Sequence, residues 1–300
     1  HDPGNAHGIL QLRQFLLAEP VDILHAHDGR GQTLSWLASL GLRVRRVATR
    51  RVTFAPGVPA RQRFMYGRTC HAVIAVSEHV RGLLESVGVP RSKIEVIPDS
   101  LDWPVELPGP EVRVRMRAAW GFADTDFVVG HVGAFTREKG QDLAIQALLL
   151  RSERRPQVCL VLVGDGPELA KAQNLAHAAL GRIRFIPPIE QLTEFFAGLD
   201  LYLMPSRAEG LGSSALLAMG YGLAVVATQV GGLPEIVEEG KTGWLVAPES
   251  PEALAEALAE AASDRARLTR FGGAARERAR SFAGDIICAR TESLYRRLAA

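Results

Sequence analysis

Glu209 is the lone acid in PSRAEGLGSSALLAMGYG (205–222), a stretch running from a proline through two glycines and two serines into an apolar helical pattern. Glycines at a helix start let a ligand approach the backbone, and the first helical amides with the helix dipole favour an anion. Three further segments share this chemistry. VGAFTREKG (132–140) leaves an apolar run at Gly133 and then supplies Arg137 and Lys139. VGDGPE (163–168) leaves through Gly164 and Gly166, and VGGLPE (230–235) through Gly231 and Gly232 to Glu235. The stretch around Glu209 itself offers Gly210, Leu211, Gly212 and Ser213. Each segment alone is more often a tight strand-to-helix connection. Four together, with Lys139 and Arg137, compose a diphosphate site fed from several loops.

Positioning these loops requires parallel strands, because ligands of open α/β sheets bind beyond the carboxyl ends of the strands. The sequence alternates short apolar runs with longer helical stretches, which signals parallel sheets covered by helices. Strands are predicted at 21–27, 45–49, 72–77 and 93–98, with Ser77 as the N-cap and Gly88 as the stop of the helix after the third. SLDWPVELPGPEV then carries Pro104, Pro108 and Pro110, the composition of a linker. Six more strands follow at 127–135, 158–164, 183–186, 199–205, 223–228 and 243–246, enough for a complete doubly wound domain. The first series has four strands. A matching domain needs one or two more at its front, and the chain opens at HDPGN without a methionine, so a fragment or processed chain is expected. The Ala-rich end is read as amphipathic helices, the last of them near 284–298 and able to pack on either domain.

With 300 residues, 47% of them hydrophobic, the length suits about two domains. A formal net charge of +2 gives nucleic acid no obvious attraction. No acid lies between Asp28 and Glu78, where Arg30, Arg43, Arg45, Arg46, Arg50, Arg51, Arg61, Arg63 and Arg68 fall. Those arginines form either a solvated basic face or one turned toward an anionic acceptor or anionic lipid headgroups. Arg50 and Arg51, following a strand, are acceptor-contact candidates or ordinary surface arginines. Cys70, Cys159 and Cys288 are odd in number and far apart, as for reduced structural cysteines of a cytosolic protein. No run of about 20 apolar residues and no signal-peptide pattern appears.

Competing chemistries fare worse. GDGPEL lacks the third glycine of a dinucleotide fingerprint, and Pro167 interrupts it, which argues against an NAD-dependent oxidoreductase. His25 and His27 share a strand face, but no further metal ligands accompany them. Asp124 and Asp126 precede a strand, at the wrong end for the site, and read as turn residues.

The combination resembles a retaining glycosyltransferase of the large family 4 (group 1) class. The residues that carry the likeness are VIPDSLD (96–102), VGAFTREKG, LVGDGP, MPSRAEGLG, LLAMGYG and LAVVATQVGGLPEIVEEGKTGWLV (223–246). ILHAHD (23–28) and IAVSE (74–78) match more loosely. The resemblance implies the GT-B fold, two Rossmann-like domains facing a cleft, with the N-terminal one incomplete here. Its domains would be an acceptor-binding one at 1–103, a nucleotide-sugar-binding one at 104–284 and a helix at 285–300 crossing back to the first. It implies a retaining, metal-independent hexosyl transfer, with no cofactor, from a nucleoside-diphosphate sugar such as a UDP-sugar to a hydroxyl of a glycan or lipid-linked acceptor. The setting would be cell-envelope or lipopolysaccharide synthesis, in the cytoplasm or peripherally on the inner membrane face.

By position, Lys139 would bind the diphosphate and Glu209 the donor-sugar hydroxyls. The amides of Gly210, Leu211 and Gly212 would meet sugar or phosphate, and His27 would face the sugar near its 6-position. Gly231, Gly232 and Glu235 would line the same site, and the backbone at Ile186 and Pro187 would meet the base. Two positions depart from the family pattern. Leu217 stands where a second acid, for the ribose, is common, and Ala134 where an arginine is common, a place Arg137 either takes or leaves empty. A non-catalytic sugar-nucleotide-binding or scaffold homologue is therefore the alternative.

Overall fold

A computed structural model describes residues 4–53, 58–150, 157–179 and 181–300, without the side chains of residues 4 and 5. All ten apolar runs form strands, and all pair in parallel. The chain divides into two compact units, His1–Asp99 with Asp285–Ala300, and Ser100–Gly284.

The first unit holds β1 (Ile23–Ala26), β2 (Arg45–Arg50), β3 (Ala72–Ala75) and β4 (Ile94–Val96), in the order β1-β2-β3-β4. Its helices are α1 (Gly4–Ala18), α2 (Gly29–Ala38), α3 (Pro59–Gln62) and α4 (Glu78–Ser86), with a π-helical turn over Arg63–Arg68 after α3. Asp28 caps α2 by accepting the Gly31 amide, and Ser77 caps α4 by accepting the Val80 amide at 3.1 Å.

The second unit holds β5 (Phe127–Val132), β6 (Val158–Val163), β7 (Ile183–Ile186), β8 (Leu201–Met204), β9 (Val225–Thr228) and β10 (Gly243–Val246). Their order, β10-β9-β8-β5-β6-β7, means that the chain winds outward one way from β5 and then crosses to β8 to wind the other way. Both faces of this sheet are buried, so its strands are near-continuous apolar runs. Helices α5 (Pro110–Trp120), α6 (Gln141–Leu149), α7 (Leu169–Ala176), α8 (Thr193–Ala197), α9 (Ser213–Gly220), α10 (Leu233–Ile236), α11 (Pro251–Ser263) and α12 (Arg265–Arg280) cover it. The main core packs Phe127, Val129, Leu160, Leu162, Leu201 and Val226 against Ile145 and Leu148 of α6, Leu254 and Leu258 of α11 and Phe271 of α12.

The proline-rich segment is not a bare linker. Leu101 and Val105 are buried, and Pro110 starts α5 at a position where its missing N–H costs nothing. Asp126 caps its own turn by accepting the Ala123 amide at 2.8 Å, and the Asp124 and Asp126 carbonyls accept Arg117. The final helix, α13 (Gly284–Ala299), lies with the first unit. Ile287 and Leu294 join Val47, Ala72, Ile74 and Ile97 in one apolar cluster.

Candidate functional site

The order of the six-stranded sheet puts its topological switch point between β5 and β8, where open α/β sheets bind ligands at the carboxyl ends. Lys139 and Glu209 arrive there on the loops after those two strands. Lys139 Nζ lies 2.6 Å from Glu209 Oε1, with the carboxylate side chain 8% exposed and the lysine 29%. Ser206 Oγ donates to the same oxygen at 2.9 Å, and Thr228 Oγ1, at the end of β9, donates to the Ser206 carbonyl at 2.5 Å. Glu209 Oε2 accepts no hydrogen bond among the described residues.

The loops hold one another. Gly140 has φ +68, and a Cβ there would sit 2.1 Å from the Pro205 carbonyl oxygen; at Gly231, with φ +56, it would sit 1.7 Å from that of Glu209. Both positions need glycine for this close approach between loops, whatever a ligand requires. The Gly133 amide donates to Val163 and the Gly164 amide to the Ile186 carbonyl, each at 3.0 Å, which stitches the β5, β6 and β7 ends together. Pro187 is exposed beyond them. Gly166 and Ser213 belong to the same end, Ser213 exposed as the first residue of α9, after Gly210, Leu211 and Gly212.

Arg207 staples this rim. It grips Asp142 with two hydrogen bonds of 2.7 and 2.9 Å, pairs with Glu249 at 2.7 Å and donates to the Arg137 carbonyl at 3.0 Å. The Arg137 side chain is exposed beside Lys139 and makes no ion pair among the described residues. Below Gly133, His131 is fully buried. Its Nδ1 meets the Leu203 carbonyl at 2.9 Å, and desolvation pushes its pKa down to about 4, so the ring is neutral. Gln141 ties the loop from beneath by donating to the Ala134 carbonyl at 2.9 Å.

Gly232 and Glu235 begin the short helix α10, where Glu235 is half-buried and its backbone N–H donates to the Gly232 carbonyl at 2.9 Å. Leu217 is half-buried in the second turn of α9.

The remaining candidates belong to the first unit. His27 is exposed just past β1, and its Nδ1 lies 3.1 Å from Arg51 Nη1, while Arg51 Nε pairs with Asp99 at 2.8 Å. Since arginine can only donate, Nδ1 is the acceptor and Nε2 carries the proton. His25 is turned the other way, with Thr49 Oγ1 at 2.7 Å and Tyr295 Oη at 2.5 Å. Burial, then Coulombic repulsion between the two imidazoles when both are protonated and from Arg51, brings His25 down to about 4. Arg50 turns from Arg51 and donates to the Thr53 carbonyl and the Tyr66 hydroxyl.

The sequence reading overlooked Ser206, Thr228, Asp142, Gln141 and Asp99. Ser206 sits three residues before Glu209 and was open to notice. The others reach the site through tertiary contact alone. Cys70 and Cys159 are buried, Cys288 is exposed, and all three thiols are free. Among the described residues no group of three metal-ligating side chains is assembled, and no helix is long and apolar enough to cross a membrane.

Comparison with known proteins adds to this geometry. A family model described as glycosyl transferases group 1 matches residues 112–278, and one described as glycosyltransferase family 4 matches residues 3–102. The chain is similar to the GDP-mannose-dependent alpha-(1-6)-phosphatidylinositol monomannoside mannosyltransferase of Mycolicibacterium smegmatis, with 33% identity over 222 residues, 70% of this chain and 58% of that protein. It is also similar to the D-inositol 3-phosphate glycosyltransferase of Streptomyces avermitilis, with 32% identity over 232 residues, 73% of this chain and 50% of that protein. The chain thus spans about half the length of these curated relatives. Among solved structures, Anabaena HepE in complex with UDP and glucose superposes with a TM-score of 0.87 at 24% identity, over 95% of this chain and 80% of that one. At that identity the likeness is one of fold.

Proposed function

The chain belongs to the group 1 glycosyl transferases, and on that premise we propose that it moves a sugar from a nucleoside-diphosphate sugar to a hydroxyl of a glycan or lipid-linked acceptor, with retention. The observation that carries this reading is the Lys139–Glu209 pair at the topological switch point of the second sheet. In it, Lys139 binds the donor diphosphate, with Arg137 at hand. A diphosphate oxygen that takes Lys139 leaves Glu209 Oε1 to Ser206 alone, and Oε2 accepts nothing among the described residues, so the carboxylate is left to accept donor-sugar hydroxyls. The amides of Gly210, Leu211 and Gly212 at the start of α9, and the β9 loop at Gly231, Gly232 and Glu235, complete the donor side. Backbone at Ile186 and Pro187 serves the base, beside Gly133, Gly164, Gly166 and Ser213.

A departing nucleoside diphosphate gains negative charge, and fixed cations and amides stabilise it without a metal. His27, presenting Nε2–H, is a donor toward a sugar oxygen, and Arg50 serves the acceptor side. Arg51, from sequence either an acceptor contact or a surface arginine, also holds His27 Nδ1 in this reading. The arginine-rich first unit favours peripheral contact with an anionic membrane. Relatives named for lipid-linked and polyol acceptors support the acceptor class.

Calorimetric titration with a panel of nucleoside diphosphates tests this. One diphosphate should bind, and Lys139→Ala should weaken it at least tenfold; no binding by any member would sink the reading. The presence of Leu217 favours one second reading, a homologue that binds sugar nucleotides without transfer. Sugar transfer by the full-length chain that is lost in Glu209→Ala separates the two.

A further inference from the structure

Two groups hold the Glu209 carboxylate, and donor binding removes one of them. Oε1 is shared by Lys139 Nζ at 2.6 Å and Ser206 Oγ at 2.9 Å. A diphosphate that enters the site competes for Lys139 but has no quarrel with Ser206, which is fully buried on the loop that leaves β8. Ser206 is anchored in turn. Thr228, also fully buried and the last residue of β9, donates from Oγ1 to the Ser206 carbonyl at 2.5 Å. The two strand ends are neighbours in the sheet, with Met204 of β8 opposite Ala227 of β9.

The backbone of Glu209 is fixed separately, its carbonyl accepting the Gly232 amide at 3.4 Å with Gly231 packed against it. Backbone restraint does not orient the carboxylate plane. The last torsion of a glutamate joins an sp³ to an sp² carbon and has a broad, roughly two-fold profile, so the plane has little preference of its own. One oriented donor on Oε1 decides where Oε2 is turned.

We propose that Ser206, held by Thr228, is a positioning residue for donor-sugar recognition, keeping the Glu209 carboxylate in one orientation after Lys139 has gone to the diphosphate. This role depends on the donor reading above. A carboxylate already turned toward the sugar hydroxyls loses less freedom on binding than one that rotates. In the empty site Ser206 is redundant, because Lys139 holds the same oxygen. Its effect is therefore confined to the complex. Within the complex it falls on the sugar, because a nucleoside diphosphate alone leaves room for water at the carboxylate.

The test titrates UDP against UDP-glucose, and GDP against GDP-mannose, into the full chain by calorimetry. The ratio of sugar-nucleotide to free-diphosphate affinity isolates the sugar. In Ser206→Ala that ratio should fall about tenfold, as for one lost hydrogen bond to a charged group, with diphosphate affinity changed by less than about twofold and the thermal midpoint unmoved. Ser206→Thr, which keeps the hydroxyl, should recover most of the loss. In the Glu209→Ala background, Ser206→Ala should change nothing further, because it acts through that carboxylate. Thr228→Val should lower the same ratio by a smaller factor, which tests the proposal independently of how well Ser206→Ala folds. An unchanged ratio in both variants, equal losses for diphosphate and sugar nucleotide, or an additive effect in the Glu209→Ala background overturns the proposal while the donor reading stands. No binding of either diphosphate by the unsubstituted chain overturns the donor reading, and this role with it.

Discussion

His131 shows how a single residue beneath the site makes the protein sensitive to acid. Its folded pKa of about 4 lies below the ordinary value of 6.5, because a fully buried imidazole loses hydration on charging. Between those values the unfolded chain binds the proton and the folded chain does not. Stability is therefore complete above about pH 6.5 and declines as pH falls toward 4, by up to about 3 kcal/mol. His25, also near 4 in the first unit, acts in the same window and direction. We expect the thermal midpoint to drop between about pH 7 and about pH 5, and to drop less in His131→Asn, read by scanning calorimetry across that range. An equal drop in the variant would rule out this origin. Asp200 is the opposite case, a buried charge that stays charged. It is 4% exposed, and Arg113 at 2.7 Å and Arg117 at 2.6 Å hold its carboxyl below the usual range against the upward push of burial. Asp200→Ala takes from the buried Arg117 its close carboxylate, leaving only Asp124 at 4.0 Å and backbone carbonyls, and should cost about 3 kcal/mol in urea denaturation, with little effect on nucleotide affinity in what remains folded.

Secondary elements differ in how plainly the sequence announces them. The ten strands were legible because strands buried on both faces are short continuous apolar runs with turn residues at their ends. LYLM and VCLVLV could hardly be anything else. The glycine loops and Lys139 with Glu209 were legible for a related reason, since the rule for parallel sheets says which strand ends to inspect. What stayed hidden depends on distant partners. Helix α1 opens with no acid in its first turn and closes with no base in its last, so nothing marks its ends. The π-helical turn at Arg63–Arg68 buries Tyr66 and Gly67, which neighbouring residues do not foretell. Arg113 and Arg117 are spaced to share a helix face, but that Asp200 meets them is a tertiary fact. Helix α12 gives a sharp test of position over composition. A Cβ on Gly272 would stand 2.2 Å from the Gly222 carbonyl oxygen, and one on Gly273 would meet nothing within 4 Å. Gly273→Ala should therefore stabilise by about 0.5–1 kcal/mol, while Gly272→Ala should destabilise. Paired urea midpoints decide it, and a gain in both would show that the α12 contact yields.

At the scale of the whole molecule, the first unit is made from two separated stretches and the second from one. Helix α13 supplies Ile287 and Leu294 to the apolar cluster on β2 and β3, and Tyr295 to His25. Removing residues 285–300 should lower the stability of the first unit and leave the second resistant to protease. Limited proteolysis followed by mass spectrometry would show cuts concentrated before residue 100; evenly spread cuts would count against the division.

That arrangement also sets a clock. Tyr295 follows His25 by 270 residues, and the whole of the second unit is synthesised between β4 and α13. At ribosomal speeds of about 5–20 residues per second, β1–β4 wait roughly ten to forty seconds for the helix that covers Val47, Ile74 and Ile97. Meanwhile the continuous stretch behind them can fold first. The nascent chain thus finishes its second unit before its first, and the uncovered apolar face during that delay is where a chaperone would bind.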